Sequence, residues 1–185
     1  MKEITISGRK IGPQYPPYII AEMSANHNGS LERALKIIKA ANDAGADAIK
    51  LQTYTADTMT LKVDHPRFIV KGDSPWDGEY LYDLYERAAL PLEWHKQLFD
   101  YGKELGITVF SSPFDKSAVE LLESLNTPVY KIASFELVDH ELIRLCAATR
   151  KPIIMSTGMA SLSEISEAVE VARNAGAEEL ILLKC

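Results

Sequence analysis

The chain has 185 residues, of which 46% are hydrophobic and 25% charged, with a formal net charge of -6 and two cysteines. This length is typical of one domain with a sizeable core, and the mixed charges, which include no basic block, argue against nucleic acid as a partner. Cys146 and Cys185 lack the spacing of a disulfide framework or a zinc site, so we expect a cytoplasmic protein. No apolar run reaches the ~20 residues of a membrane span, so we expect no membrane partner.

The first segments predict a hairpin, a strand and a helix. Residues 3–11 are typical of a short hairpin that turns at Gly8-Arg9-Lys10 and covers the bottom of a barrel. A strand then ends at Glu22. The next helix has Ser30 as its N-cap and ends at Gly45. Its apolar stripe has the helical period and consists of Leu31, Ala34, Leu35, Ile38 and Ala41.

Strands and helices alternate through the rest of the chain, as in βα units. The last helix begins at a capping box formed by Ser161 and Glu164 and ends at Gly176. The other predicted helices are 80–105, interrupted at Pro91, then 115–125 and 139–149, the last two each opened by a capping Asp. All six apolar runs end in polar residues: IIAEMSANHN, AIKLQTYT, VFSSPFD, YKIASFE, IIMSTGM and LILLKC.

Residues 54–78 interrupt this pattern. The segment is rich in Asp, Thr, Gly and Pro, and it is too long for an ordinary connection. Because connections of this length are usually functional, we expect a lid or wall that faces the substrate.

The distance between the strand ends favours a closed barrel over an open sheet. In a flat sheet with sequential strands, Glu22 and Lys184 would lie about 24 Å apart and could not share a small substrate. In a (β/α)₈ barrel, by contrast, the strand ends converge on one face. We therefore predict a TIM barrel of which residues 1–185 form a partial catalytic domain of about six βα units, with the last units absent.

Two lysines are the most informative polar residues. Lys50 and Lys131 lie inside predicted strands with apolar neighbours on both sides, and a charged lysine is rarely buried without a partner. They are either paired with neighbouring carboxylates or they are cations that hold a phosphate and a carboxylate. Lys184 is a candidate third cation.

Hydroxyl side chains follow several strands. Ser112, Ser134, Ser156 and Thr157 each lie at a strand end, where hydroxyls and free amides are natural phosphate contacts. Each of them alone could equally be a cap or a turn residue.

Glu22 is either a general acid or base, or a salt-bridge partner that orients a lysine. The loop after it, SANHNG, adds Asn26 and His27 as candidates, although a lone loop histidine is more often simply polar. Glu136 is similarly ambiguous. The remaining histidines show no ligand spacing, so the sequence predicts no metal site among these residues.

The sequence resembles the amino-terminal part of the sialic acid synthase family over essentially its whole length. The resemblance lies in AEMSANHNGSLERALKIIKAANDAGADAIKLQTYTADTMT and in FSSPFD, YKIASFE, MSTGMAS and LLKC. Within the family, QTYTADTMT, LYDLYERA with its continuation EWHK, and SSPF are most similar to the pseudaminic acid branch.

The resemblance implies a (β/α)₈ barrel that condenses phosphoenolpyruvate with an open-chain amino sugar and water and releases phosphate. In the pseudaminic acid branch the sugar is 2,4-diacetamido-2,4,6-trideoxy-L-altrose. By the family's motifs, Glu22 matches a carboxylate implicated in proton transfer, Gln52 matches a sugar contact, and Lys184 begins a further binding motif. The residues that match the phosphoenolpyruvate site are Lys50, Ser112, Lys131, Ser134 and Ser156.

Further properties are implied for the family but fall outside these residues. They are a divalent metal, typically Mn²⁺, bound by two histidines expected beyond Cys185, a small antifreeze-like domain, and a homodimer of the full-length protein. We therefore expect residues 1–185 to be inactive alone.

Three alternatives remain. The acceptor could be that of an N-acetylneuraminate or legionaminate synthase. A strand lysine could form a Schiff base, as in lysine aldolases. Alternatively, the chain could be a truncated protein that only binds sugar or phosphate.

Overall fold

The computed structural model describes residues 3–185, which begin with an antiparallel hairpin of β1 (Ile4–Ile6) and β2 (Arg9–Ile11). Ser7 and Gly8 form its turn, with φ values of 48° and 80°. Positive φ at both central residues is the requirement of a type I′ turn, whose twist matches that of the strands. The turn predicted at Gly8-Arg9-Lys10 was wrong, because Arg9 and Lys10 already pair within β2.

Six parallel strands form the second sheet, and each pairs with its successor in the chain. This order, with a crossover segment after each strand, is the winding of a (β/α)₈ barrel. The curled sheet confirms the predicted fold class, with six βα-type strands and the hairpin. The strands are β3 (Ile20–Glu22), β4 (Ala48–Thr53), β5 (Thr108–Pro113), β6 (Tyr130–Ile132), β7 (Ile153–Ser156) and β8 (Leu180–Leu183).

Four helices begin at the predicted caps. The Ser30 hydroxyl and the Asp115 and Asp139 carboxylates accept hydrogen bonds from amides of the following turns, and Ser161 and Glu164 form a capping box. The helices are α1 (Leu31–Asp43), α2 (Ala56–Met59), α3 (Leu81–Ala88), α4 (His95–Leu105), α5 (Lys116–Ser124), α6 (His140–Ala148) and α7 (Leu162–Asn174), with 3₁₀ turns at Pro66–Phe68, Leu92–Trp94 and Phe135–Val138.

The long connection after β4 has structure of its own. It contains α2 and the turn at Pro66–Phe68, and an isolated antiparallel bridge joins Ile69 to Tyr80. At its start, the Tyr54 ring packs edge-on against Tyr85 and Phe114. The connection is therefore anchored to α3 and to the end of β5.

The sheet separates an outer core from an inner core. Outward residues of the strands pack against the helices, for example Ile49, Leu51 and Val109 against α1 and α4. The inner face packs against the hairpin. This inner cluster contains Ile4, Ile6, Ala48, Phe110, Val129 and Ile154, with Ile20 and Ile181 at its margin. The hairpin thus closes the end at which the strands begin, as the sequence predicted.

Removing one buried hairpin side chain tests whether this closure contributes to stability. Ile6→Ala should lower the free energy of unfolding by about 2–4 kcal/mol, because Ile6 is buried in the inner cluster and its loss leaves a cavity. Thr5→Ala is the matched control, since Thr5 lies on the exposed face of the same strand. Urea unfolding measures both variants, and equal effects would contradict the inner core.

Candidate active site

Five of the predicted polar residues lie on the inner face, directly above the inner cluster. Side chains two residues apart in a strand point to the same face. Each inward apolar residue is therefore followed, two positions later, by a residue that faces the mouth of the curled sheet. These pairs are Ile20 and Glu22, Ala48 and Lys50, Phe110 and Ser112, Val129 and Lys131, and Ile154 and Ser156.

Glu22 and Lys50 form an ion pair across β3 and β4. They are opposite each other in the register, and 3.2 Å separates the Lys50 Nζ from a Glu22 carboxylate oxygen. Lys50 is only 7% exposed, whereas 57% of the Glu22 side chain is exposed. This is the salt-bridge geometry that the sequence left open, and it also leaves the Glu22 carboxylate open to a substrate.

Lys131 is buried without an ion pair among residues 3–185. It is 7% exposed, and its Nζ donates a hydrogen bond to the Ile132 carbonyl at 3.0 Å. Burial and then the positive charge of Lys50 lower the pKa of Lys131 to about 8, against the weaker attraction of Glu22. Two cations thus share a poorly solvated region with one carboxylate beside them.

Ser112 contributes a hydroxyl without a partner. It is 1% exposed, and within the described chain its Oγ has no hydrogen bond. Buried polar groups are normally hydrogen-bonded, so an unsatisfied one requires an explanation. Because Ser112 faces the mouth beside Gln52 in the neighbouring strand, this hydroxyl is available to a bound ligand.

Donors from the segment after β6 and from the end of β7 with its following loop surround the Cys185 thiol. The Ser134 hydroxyl donates to the Cys185 Sγ at 3.7 Å. Hydrogen bonds from Ser156, then Ser134, and from the Gly158 amide lower the pKa of this thiol to about 7, since they stabilise the thiolate. Donors that stabilise a sulfur anion would also stabilise a phosphate or carboxylate oxygen.

Gly158 was not singled out in the sequence, although it lies in the MSTGM run that follows β7. A Cβ at this position would lie 2.6 Å from the Ser134 Oγ and 2.9 Å from its Cβ. Only glycine allows the loop after β7 to approach Ser134 so closely.

Four other residues that the sequence predicted as site candidates do not point into the mouth with the inner-face residues. His27 is buried away from solvent, with its ring edge-on to Trp94 and its Nδ1 accepting from the Gly29 amide, so burial lowers its pKa. Asn26 donates to the Met23 carbonyl within its own loop. The Thr157 hydroxyl donates to the Leu183 carbonyl and ties β7 to β8, and Lys184 is exposed beyond β8. As placed, His27 and Thr157 support the loops rather than face a ligand.

A cavity of about 310 Å³ lies beside these strand ends. Thr58 and Met59 of the long connection form one wall, so the predicted substrate-facing segment does border a cavity. Glu136 lies on the other side. Its Oε2 is buried without a partner in the described structure, and burial raises the pKa of its carboxyl group. The remaining lining residues are Phe114, Phe135, Val138 and Asp139.

In residues 3–185, no three His, Cys, Asp or Glu side chains are grouped to hold a metal ion. No helix in that range is both long and apolar enough to cross a membrane.

Residues 37–185 match the NeuB family. The chain is 50% identical over 170 residues to pseudaminic acid synthase of Helicobacter pylori, which covers 92% of this chain and 50% of that protein. The chain is 52% identical over 168 residues to pseudaminic acid synthase of Campylobacter jejuni, which covers 91% of this chain and 49% of that protein. It is 36% identical over 170 residues to N,N'-diacetyllegionaminic acid synthase of the same species, which covers 90% of this chain and 50% of that protein.

The structure is also similar to a solved one. The crystal structure of N-acetylneuraminic acid synthetase from Leptospira borgpetersenii, in complex with citrate, has a TM-score of 0.86 and 30% identity, over 100% of this chain and 59% of that chain. The chain spans about half the length of the curated relatives it matches.

The burial of Lys131 predicts a stabilising substitution. Below pH 8 Lys131 is charged in the folded protein, and the burial of this charge lowers the free energy of unfolding. Between pH 8 and about 10.5 the unfolded chain binds the extra proton, so stability rises with pH. Lys131→Met should therefore raise the free energy of unfolding at neutral pH, by at most about 3 kcal/mol, and the gain should shrink toward pH 10.5.

Urea unfolding across this pH range measures the effect. Lys116→Met is the control, because Lys116 is exposed on α5 and its removal should give no gain. A Lys131→Met variant that is less stable at neutral pH would contradict a costly buried charge.

Proposed function

The chain belongs to the NeuB family, and on that premise we propose that it carries the phosphoenolpyruvate site of a nonulosonic acid synthase. In the proposed reaction, phosphoenolpyruvate, an open-chain amino sugar and water give a nonulosonic acid and phosphate. The acceptor we propose is 2,4-diacetamido-2,4,6-trideoxy-L-altrose, which gives pseudaminic acid. The higher identity to the pseudaminic than to the legionaminic synthase of Campylobacter jejuni supports this acceptor.

The buried pair Lys50 and Lys131 is the observation that carries the proposal. Their two positive charges face one mouth, Glu22 is their one ion-pair partner in the described residues, and the Ser112 hydroxyl beside them is unsatisfied. A trianionic ligand that bears a phosphate and a carboxylate would neutralise the surplus charge and satisfy that hydroxyl.

Each residue then has a definite task. Lys50, Lys131 and Ser112 hold the anionic groups, while Ser134, Ser156 and the Gly158 amide add donors at the neighbouring loops. The C3 carbon of phosphoenolpyruvate attacks the sugar aldehyde, positive charge develops at C2, and water adds there before phosphate leaves. Glu22 is placed to move a proton during these steps, because its carboxylate is exposed at the mouth.

The acceptor sugar would occupy the neighbouring cavity. Its volume of about 310 Å³ is in the range of small-ligand sites. Gln52 faces the mouth opposite Ser112 in the register, and Glu136 supplies a buried carboxyl oxygen that a sugar hydroxyl could satisfy. The divalent metal implied by the resemblance would polarise the aldehyde, but residues 3–185 provide no ligand cluster for it.

One observation favours a second candidate. The pKa of Lys131 near 8 leaves a substantial fraction of neutral amine, as a Schiff-base lysine requires. Borohydride reduction with pyruvate would label Lys131 in that case. It would leave the chain unlabelled if the lysine only binds an anion.

Binding of phosphoenolpyruvate is the direct test of the proposal. Titration calorimetry should detect saturable binding to the wild type. Gly158→Ala should weaken it about tenfold or more, equivalent to about 1.4 kcal/mol, because the new methyl group displaces Ser134. Gly12→Ala is the matched control, since a Cβ there meets only Tyr15 at ordinary contact distance. Absence of binding to the wild type would contradict the proposal.

The acceptor is tested with the phosphoenolpyruvate-saturated protein. We expect 2,4-diacetamido-2,4,6-trideoxy-L-altrose to bind more tightly than N-acetylmannosamine or the legionaminic precursor. Glu136→Gln should weaken sugar binding without weakening phosphoenolpyruvate binding, because Glu136 lines the cavity and the loss of its negative charge near Lys131 removes no anion contact. Tighter binding of either other sugar would assign the chain to the corresponding synthase.

A further inference from the structure

Three fully buried polar side chains form a chain behind the proposed site, on the outer face of the sheet. The His95 Nε2 lies 2.9 Å from the Thr53 Oγ1, and the Thr53 Oγ1 lies 2.6 Å from the Ser111 Oγ. The His95 Nδ1 lies 3.2 Å from the Pro91 carbonyl oxygen. All three side chains have no exposed surface. They join the first turn of α4 to the carboxyl ends of β4 and β5.

The contacts of His95 determine the direction of every hydrogen bond in this chain. The Pro91 carbonyl can only accept, so the His95 Nδ1 carries the proton and donates it there. The unprotonated Nε2 then accepts from the Thr53 hydroxyl. The Thr53 oxygen in turn accepts from the Ser111 hydroxyl. Each proton has one acceptor, and burial favours the neutral imidazole by lowering the pKa of His95.

Packing of α4 against the sheet does not by itself require buried polar side chains. The surrounding contacts between α4 and the sheet are made by Leu51, Leu98 and Val109, and aliphatic residues could fill the same volume. A fully satisfied hydrogen-bond network instead fixes the relative positions of the elements that it joins, because hydrogen bonds restrict both the distance and the angle between their groups. The network therefore fixes the positions of the β4 and β5 ends relative to each other and to α4.

The inward neighbours of this chain belong to the proposed site. Thr53 directly follows Gln52, and Ser111 directly precedes Ser112, and Gln52 and Ser112 are opposite each other in the register. Successive side chains of a strand point to opposite faces. A constraint on Thr53 and Ser111 from outside is thus transmitted through one peptide bond to the two residues that face the ligand.

We propose that His95 is a positioning residue that holds the Ser112 hydroxyl and the Gln52 amide in place for substrate through Thr53 and Ser111. This inference rests on the proposed function for the identity of the substrate, but not for the geometry of the strand ends. Two separate readouts can therefore test it.

The first readout requires no ligand. Nitrogen-15 NMR of the wild type should show His95 as the neutral tautomer protonated at Nδ1. In the triple variant H95L/T53V/S111A, amide hydrogen exchange at the unchanged residues Gln52 and Ser112 should accelerate about tenfold or more, while that at Ile153–Ser156 of β7 stays unchanged. The triple variant removes all three polar side chains together, and the Pro91 carbonyl keeps its hydrogen bond from the Trp94 amide. No buried group is therefore left unpaired, and the fold should persist.

The second readout is phosphoenolpyruvate affinity. The triple variant should bind about tenfold more weakly, the size typical of losing a residue that orients a ligand-binding group. H95Q should retain most of the affinity, because its side-chain oxygen can accept from the Thr53 hydroxyl. A urea midpoint close to that of the wild type in both variants separates this loss from unfolding.

The outcomes separate the positioning role of His95 from the proposed function. A wild-type His95 protonated at Nε2 would overturn the proposal without any variant, and so would a folded triple variant with unchanged exchange or unchanged phosphoenolpyruvate affinity. If the wild type does not bind phosphoenolpyruvate, the proposed function fails. The exchange and tautomer results then still decide whether His95 holds the strand ends.

Discussion

The buried like-charge pair of Lys50 and Lys131 is the constraint on which the rest of the site depends. Each lysine extends from an inward strand position just above an apolar layer, where water is scarce, and one half-exposed carboxylate from Glu22 lies beside them. Without a ligand this arrangement is costly, as the low pKa of Lys131 indicates. The hydroxyl of Ser112 and the donors around Cys185 complete a surface that favours an anion.

Much of the fold could be predicted because local signals agree with the tertiary arrangement. The caps at Ser30 and Ser161 and the alternation of apolar runs with helical stripes correspond to observed elements. The hairpin turn was misplaced because glycine is the obvious turn residue, whereas Ser7, the other turn residue with positive φ, has no sequence signal of its own.

The inward site residues were predictable for a simple reason, and the others were not. Each follows a buried apolar residue by two positions, so strand parity alone assigns Lys50 and Ser112 to the mouth. Gly158 and His95 contact residues distant in sequence, Ser134 for the first and Thr53 and Ser111 for the second. Such contacts leave no periodicity. His27 was predicted as a site candidate because it lies in a polar loop, but a long-range contact with Trp94 buries its ring.

The response of Lys131 to phosphoenolpyruvate tests the central claim most directly. If a bound anion replaces the missing countercharge, NMR titration of the lysine side chain should show its pKa rise from about 8 toward or above the ordinary value of 10.5 when the protein is saturated. The protein should also take up protons on binding near pH 8. An unchanged pKa at saturation would contradict the account, because the ligand would then bind without neutralising the buried pair.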